Sequence, residues 1–322
     1  MKNVIVTGGA GYIGSHVCKI ISKNGYNPIV YDNLSTGHRK FVKWGPFIKG
    51  DIIDFKKIKS VLLKYKAHAV IHLAAFANVR ESLAQPYKYY LNNVYGSLSL
   101  LRAMKEAKIN FIVFSSSSSV YGSPNTKVID EQTATNPINP YGLSKLFFEK
   151  ILNDISMETE IKFIALRYFN AAGADKDLEI GELPLVERRI IPIAIKSAFN
   201  GPKLKIFGKN FKTPDGTAIR DYVHVEDLAK GHLLALNYLL SGGKSNLINL
   251  GSGKGCSIKE ILNLLNQRSV KVNYDYHDKI NGEPDKLVAS NKKAIKILKW
   301  RPSHNIEQIL DSSIKWYKKI YG

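Results

Sequence analysis

Cysteine is almost absent: Cys18 and Cys256 are the two in 322 residues, with no Cys-x-x-Cys pair and no histidine beside either at metal-ligand spacing. That excludes a disulfide-stapled secreted scaffold and a zinc ribbon, so no metal is expected and a reducing, cytoplasmic setting fits. Long apolar runs are missing too. None approaches the roughly 18 to 20 residues that cross a bilayer, so no membrane partner is expected, and Met1 to Thr7 reads as a core strand instead of a charged leader. Acidic side chains are scarce against basic ones, 27 Asp and Glu to 47 Lys and Arg, for a net charge of +20. Such a charge attracts phosphate-bearing partners. The lysines are nevertheless spread along the chain, and Lys56, Lys57, Lys59, Lys64 and Lys66 fall at helix spacing on a solvated face, so no nucleic-acid partner is expected. There is no Gly/Ser linker and no internal repeat; only Ser115 to Ser119 is of low complexity.

What is present is an ordinary globular mixture, 44% apolar, 10% aromatic and 23% charged, long enough for two lobes or one large α/β body. The first 170 residues alternate β-branched runs with amphipathic stretches. Strands are expected at Asn3 to Thr7, Pro28 to Tyr31, Phe47 to Lys49, Ala69 to Leu73, Phe111 to Ser115 and Lys162 to Arg167. Helices are expected at Ser15 to Asn24, Phe55 to Lys66 and Leu91 to Ala107. Near-continuous apolar strands separated by helices imply an α/β fold with a doubly wound parallel (Rossmann) sheet. Beyond Asn170 Gly and Pro punctuate the chain, while Asp227 to Leu240, Ser257 to Gln267 and Ile306 to Tyr321 still read as helices. The expected organisation is a nucleotide-binding domain over 1–170 and a smaller α/β substrate lobe over 171–322, with the ligand between them.

Val4-Ile5-Val6 runs directly into Thr7-Gly8-Gly9-Ala10-Gly11-Tyr12-Ile13-Gly14, followed by a helix. Gly9, Gly11 and Gly14 satisfy G-x-G-x-x-G, and Gly8, Gly11 and Gly14 the variant with one more spacer. Missing side chains allow a tight turn and let backbone amides approach a pyrophosphate at the positive end of the helix. The next strand ends at Asp32, where a carboxylate accepts from both hydroxyls of an adenine ribose and repels a 2′-phosphate. NAD is the expected cofactor. His38, Arg39 and Lys40 keep NADP as the alternative.

The strand ending at Ser115 to Ser119 places hydroxyls at the carboxyl edge of such a sheet, where its ligands bind. Downstream, Tyr141 and Lys145 lie one helical turn apart on one face. A phenol must drop by about three pKa units to be half-ionised at pH 7, a cost of roughly 4 kcal/mol. A neighbouring ammonium and an oxidised nicotinamide are sources of that stabilisation. Tyr141 is thus the candidate base, with Ser117 and Lys145 beside it.

The glycine loop, the serine cluster and Tyr-x-x-x-Lys together resemble the extended short-chain dehydrogenase/reductase superfamily, and within it the family of UDP-glucose 4-epimerases. Further matching segments are Tyr31 to Ser35, Ile71 to Ala75, Asn92 to Val94, Leu166 to Asn170, Asp215 to Thr217 and Arg220 to Val225, so the likeness spans nearly the whole chain. It implies an enzyme for reversible C4 epimerisation of a UDP-hexose. Tyr141 takes the proton of the C4 hydroxyl as hydride passes to NAD, Ser117 relays it, and Lys145 contacts the nicotinamide ribose. The 4-keto sugar then turns and is reduced on its other face. By the same likeness Gly8, Gly11, Tyr12, Ile13, Gly14, Asp32, Asn33, Leu34, Ser35, Thr36, Gly37, Asp51, Ile52, Leu73, Ala74, Ala75, Ala77, Asn93, Ser115, Tyr141, Lys145 and Tyr168 hold the cofactor. Ser117, Tyr141, Asn170, Arg189, Ile206, Phe207, Arg220, Tyr222, Lys279, Glu283 and Leu287 hold the UDP-sugar. For Arg220 the plain alternative is an ion pair with Asp221 or Asp227; for Ile206 and Phe207 it is core packing. Related dehydratases carry Thr-Asp-Glu where this chain has Ser117-Ser118-Ser119, which favours oxidation and reduction at C4 without elimination.

Three positions depart from the family pattern. Ala77 replaces a lysine that some members carry, Arg189 opens a stretch that elsewhere begins with His or Asn, and Ile280 stands where a second diphosphate arginine is usual. Arg189 or Lys279 is the expected replacement for that charge. Leu287, at the position that gauges the C2 substituent, leaves UDP-N-acetylhexosamine and UDP-pentose open as alternative substrates, and a non-catalytic NAD-binding scaffold is the contrasting reading. Family members are commonly homodimers, with Tyr87 to Met104 and Tyr141 to Leu152 the candidate interface helices here.

Overall fold

A computed structural model describes residues 1–126, 128–183, 189–199, 201–280 and 283–321. Its strands are β1 (Lys2–Thr7), β2 (Tyr26–Asp32), β3 (Phe47–Lys49), β4 (Ala69–His72), β5 (Phe111–Ser117), β6 (Lys162–Tyr168), β7 (Asn170–Ala172), β8 (Leu204–Phe207), β9 (Ile219–His224), β10 (Asn246–Leu250), β11 (Gly255–Ser257), β12 (Tyr274–His277) and β13 (Lys286–Leu287). Seven of them form one sheet in the order β10-β6-β5-β4-β1-β2-β3, every pairing parallel. Winding reverses between β1 and β4, so the carboxyl ends of those strands open a crevice there.

Both faces of the sheet are covered, which explains why its strands lack polar alternation. Val4, Val6, Val30 and Ile71 pack into one core with Val17 and Ile21 of the helix Tyr12–Lys23 and Leu228, Leu236 and Leu239 of Val225–Leu240. Ile5, Ile29, Val70 and Ile112 pack on the other face with Ile58 and Leu62 of Phe55–Lys64, Leu100 and Met104 of Ser97–Glu106, and Phe148 and Leu152 of Pro140–Glu158.

Two sequence expectations are modified. Residue 170 does not close the large sheet, because β10 returns from the second half to pair with β6, and Val225–Leu240 returns with it. Parallel pairing needs a crossover, and a distant segment supplies the last one. The expected helix over Leu91 to Ala107 begins as a π-helix, Tyr90–Gly96, before the α-helix Ser97–Glu106. Such a widened turn directs Asn92 and Asn93 inward, and π turns of this kind frequently mark functional sites.

In the remaining lobe β9 pairs with β7, β11 and β13, while β8 pairs with β12. The helices Ile190–Ala198, Ile258–Gln267 and Ile306–Tyr321 share its core. Lys19 ties the lobe to the first helix: its buried Nζ lies 2.7 Å from each of Asp175, Asp177 and Glu179. Burial opposes that charge, yet the three carboxylates hold its pKa above the ordinary lysine range.

A second polar tie predicts a pH effect. Asp227 accepts from Ser303 N, His304 N and His304 Nδ1 at 3.0 to 3.1 Å, and His304 stacks on His224 at 4.0 Å between centroids. The hydrogen bond to Asp227 comes first among the causes that raise the His304 pKa. A raised histidine stabilises fully below its unfolded value near 6.5, and the gain is lost as pH rises through the folded value. His304→Ala should therefore lower stability by about 1 kcal/mol at pH 6 and by less at pH 9, read as the difference in melting temperature from the parent. An equal loss at both pH values would contradict the pairing.

Candidate active site

β1 delivers Gly8 to the crevice at φ +72°. A Cβ on Gly8 would stand 2.6 Å from Ala74 N, and one on Gly14 only 2.1 Å from Gly8 O. Glycine is what lets loop, helix and the Leu73 to Ala75 segment approach this closely. No side chain caps the helix at Gly11 and its first turn carries no acid, which leaves the amides of Tyr12 and Ile13 to an outside acceptor. Asp32 is buried at the end of β2. Its Oδ2 accepts from Ala10 N at 3.0 Å and its Oδ1 from Leu34 N at 2.7 Å. Burial raises this carboxyl, against those two amides.

Beside it Asn33 Nδ2 donates to Asp51 Oδ2 at 2.9 Å, and Asp51 Oδ1 accepts from Ile53 N at 2.9 Å, with Ile52 buried behind. Ser35 N donates to Asn33 Oδ1 at 2.9 Å, Thr36 is exposed, and Gly37 lies against Ala10. A bare cradle, free amides and a carboxylate at the ribose position fit NAD. Of the three side chains that kept NADP as the alternative, His38 bonds Leu183 O, Arg39 stacks over Phe47 at 4.8 Å and Lys40 lies over Phe41 at 5.8 Å.

The strand β5 extends two residues further than expected, to Ser117, because Ser116 and Ser117 keep register with Arg167 and Tyr168 of β6. Ser115 Oγ pairs with the Tyr168 hydroxyl, and Ser117 Oγ accepts from Ser119 N at 3.1 Å as the chain turns into a short 3₁₀ segment. Asn139 caps the helix Pro140–Glu158 by accepting from Gly142 N at 2.8 Å, which sets Tyr141 and Lys145 in its first two turns. Lys145 Nζ donates to Ser115 O at 2.7 Å and lies 5.9 Å from the Tyr141 ring centroid. Burial brings Lys145 down to about 7, with Glu149 opposing.

Tyr141 is pushed up by burial, against a hydrogen bond with Ser117 and the charge of Arg189. The expected lowering by Lys145 is not what the protein alone provides. In a buried site desolvation of the phenolate outweighs the nearby cations. The residues expected at the redox centre, Ser115, Ser117, Tyr141, Lys145 and Tyr168, do come together.

The description of one protein family, NAD dependent epimerase/dehydratase, matches residues 4–251. The chain belongs to that family. A UDP-glucose 4-epimerase of Rhizobium meliloti (strain 1021) is 44% identical over 320 residues, 99% of this chain and 98% of the relative. The UDP-glucose 4-epimerase of Brucella ovis in complex with NAD superposes with a TM-score of 0.95 at 43% identity, covering 98% of each chain. One from Stenotrophomonas maltophila, with bound NAD and formylated UDP-arabinopyranose, superposes at 0.96 and 33% identity over 99% of each.

In this epimerase/dehydratase frame the other expected residues fall in the second lobe or beside the crevice. Arg220 donates to Glu283 at 3.1 Å, not to Asp221 or Asp227. Asp221 instead accepts from Ser252, Gly253 and Ala289. Ile206 is fully buried core, while Phe207 at the end of β8 is half-exposed. Tyr222 is buried, and Asn170 Nδ2 donates to Asp221 O at 3.2 Å. Leu287 packs on the cluster of Val120, Tyr121, Leu146 and Phe169. Arg189 lies over the Tyr12 ring at 5.4 Å and donates to Glu182 at 2.9 Å, with 42% of its side chain exposed. Lys279 pairs with Asp285 at 3.0 Å; Asn281 and Gly282 lie outside the described residues. Asn93, expected to line the cofactor, bridges Phe76 and Ser144 through its amide. Ala77 is exposed.

Sequence reasoning missed Glu149 and Arg167, which grip each other beneath the serine edge. A charged residue on a helix reads as solvated, and the signal was that Glu149 follows Lys145 by one turn on the same inward face.

Proposed function

We propose that this chain catalyses NAD-dependent reversible epimerisation at C4 of a UDP-hexose, interconverting UDP-glucose and UDP-galactose through a transient 4-keto sugar. The observation that carries the reading is the convergence of Tyr141, Ser117 and Lys145 at the carboxyl edge of the sheet, in a chain matched end to end by proteins named UDP-glucose 4-epimerase. NAD, when bound, supplies the hydride acceptor and donor. Tyr141 removes the proton of the C4 hydroxyl and Ser117 relays it through their shared hydrogen bond. Lys145, brought down to about 7 by burial, holds its proton more firmly beside an ionised Tyr141 and in turn favours that phenolate, which is neutralised when it takes the C4 proton. With the cofactor bound, Asp32 would orient the adenine ribose and the amides of Tyr12 and Ile13 would receive the pyrophosphate. No carboxylate stands at Ser117, Ser118 or Ser119 to drive elimination.

The nucleotide-binding part is residues 1–170 with β10 and its preceding helix added, and the rest of 171–322 is the UDP-sugar lobe. A homodimer is proposed on the apolar side chains that Tyr87, Leu91, Tyr95 and Leu98 expose along one helical stripe, with Phe147 of Pro140–Glu158 also exposed. A cytoplasmic location is proposed on the two free, buried thiols; no described helix is long and apolar enough to cross a membrane.

A second reading, a UDP-N-acetylhexosamine or UDP-pentose as the substrate, is favoured by Leu287, whose side chain is intermediate in bulk and only half-buried. Parallel incubation with UDP-galactose, UDP-N-acetylgalactosamine and UDP-arabinose, with product chromatography, separates the readings. UDP-galactose is expected to equilibrate with UDP-glucose. Turnover of only one of the other two would move the assignment to it, and turnover of none by NAD-loaded protein would leave the scaffold.

A further inference from the structure

The diphosphate of a UDP-sugar needs cations, and the three already considered are each engaged. Arg189 pairs with Glu182 at 2.9 Å, Arg220 with Glu283 at 3.1 Å and Lys279 with Asp285 at 3.0 Å. Lys279 also lies 4.1 Å over the Phe211 ring. A cation neutralised by a neighbouring carboxylate attracts an added anion less than a free one does.

Arg80 is different. It stands on the short helix Val79–Ala84, which follows the carboxyl end of β4 at the crevice edge. Its guanidinium lies 4.4 Å over the ring of Phe207, in the other lobe. It is exposed, and among the described residues it pairs with no carboxylate. Phe207 closes β8 in register with His277 of β12, and Gly208 N donates to His277 O at 2.9 Å. Three residues past His277 comes Ile280, 40% exposed. Arg80 therefore reaches from the nucleotide-binding half to the strand pair whose outgoing end carries Ile280. Stacking uses only the plane of a guanidinium, and its N–H edges stay open for bidentate bonds to phosphate oxygens.

We infer that Arg80 is a diphosphate-binding residue, supplying across the cleft the cation that the chain lacks at Ile280. This rests on the reading of the cleft as a UDP-sugar site. Neither Arg189 nor Lys279 then has to leave its carboxylate.

The test is calorimetric titration of NAD-loaded protein with UDP and, separately, uridine, for the parent, Arg80→Ala and the double variant Arg80→Ala with Ile280→Arg. Cofactor content and melting temperature are checked for each. Arg80→Ala is expected to weaken UDP roughly 10- to 100-fold, the range of charge-assisted hydrogen bonds to phosphate, and uridine less than about twofold. The added arginine at 280 should recover most of the lost UDP affinity. UDP binding unchanged in Arg80→Ala, or an equal loss for UDP and uridine, would overturn the proposal, the latter making Arg80 a mere prop for Phe207. No recovery in the double variant would overturn the replacement of one cation by the other. A parent protein that binds NAD but no UDP would instead defeat the reading of the cleft itself.

Discussion

Replacing Tyr141 by Phe should lower kcat for UDP-galactose by roughly 100- to 10,000-fold, the span of a positioned general acid or base, while NAD content and UDP affinity stay as in the parent. The substitution removes one oxygen and keeps the ring, whose edge contact with Tyr89 at 6.5 Å holds it in place. What is lost is the hydroxyl that meets Ser117. Burial holds that phenol above its ordinary pKa, against Ser117 and Arg189. The ionised form is then scarce at neutral pH until positive charge joins the site, so the parent's kcat/KM should rise with pH on its acid side. Steady-state rates with product chromatography decide the matter: activity within about fivefold of the parent would remove Tyr141 from the chemistry.

Replacing Glu149 by Gln should cost roughly 3–5 kcal/mol of stability, the penalty for leaving a buried charge without its partner. Glu149 and Arg167 are each about 3% exposed and joined by two bonds, Nε to Oε1 at 2.9 Å and Nη2 to Oε2 at 2.6 Å. Ser116 Oγ donates to Glu149 at 2.5 Å and Arg167 Nη1 to the Tyr121 hydroxyl at 3.0 Å. Burial works against the Arg167 charge, but the Glu149 carboxylate holds its pKa above the ordinary arginine range. At an unfolding entropy of about 2.1 cal/mol/K per residue, a chain of 322 residues shifts by about 1.5 °C per kcal/mol, so the melting temperature should fall by about 4–7 °C. Because Ser116 lies between Ser115 and Ser117, the loss should also lower kcat in the surviving folded protein. A melting temperature within about 2 °C of the parent would show that the amide satisfies Arg167 as well as the carboxylate does.

Much of this molecule was written in local pattern. Six strands of the large sheet, the helix Ile306–Tyr321, the glycine loop and the acid ending β2 follow from short-range periodicity and backbone sterics, which act over a few residues. Tyr141 and Lys145 are one turn apart on a single helix, so their shared face needed nothing beyond helical geometry.

Tertiary structure alone decided what depends on segments distant in the chain. It brought β10 back to the sheet edge, placed Glu149 under Arg167, used Asn93 as a bridge to Ser144 and laid Arg80 across the cleft onto Phe207. It also set the phenol's pKa, since desolvation is a property of everything packed around a group. Hydrophobic pattern specifies which face of an element turns inward. Which partner a buried charge finds there is settled only when the elements meet, because the cost of an unpaired charge is felt only in the packed interior.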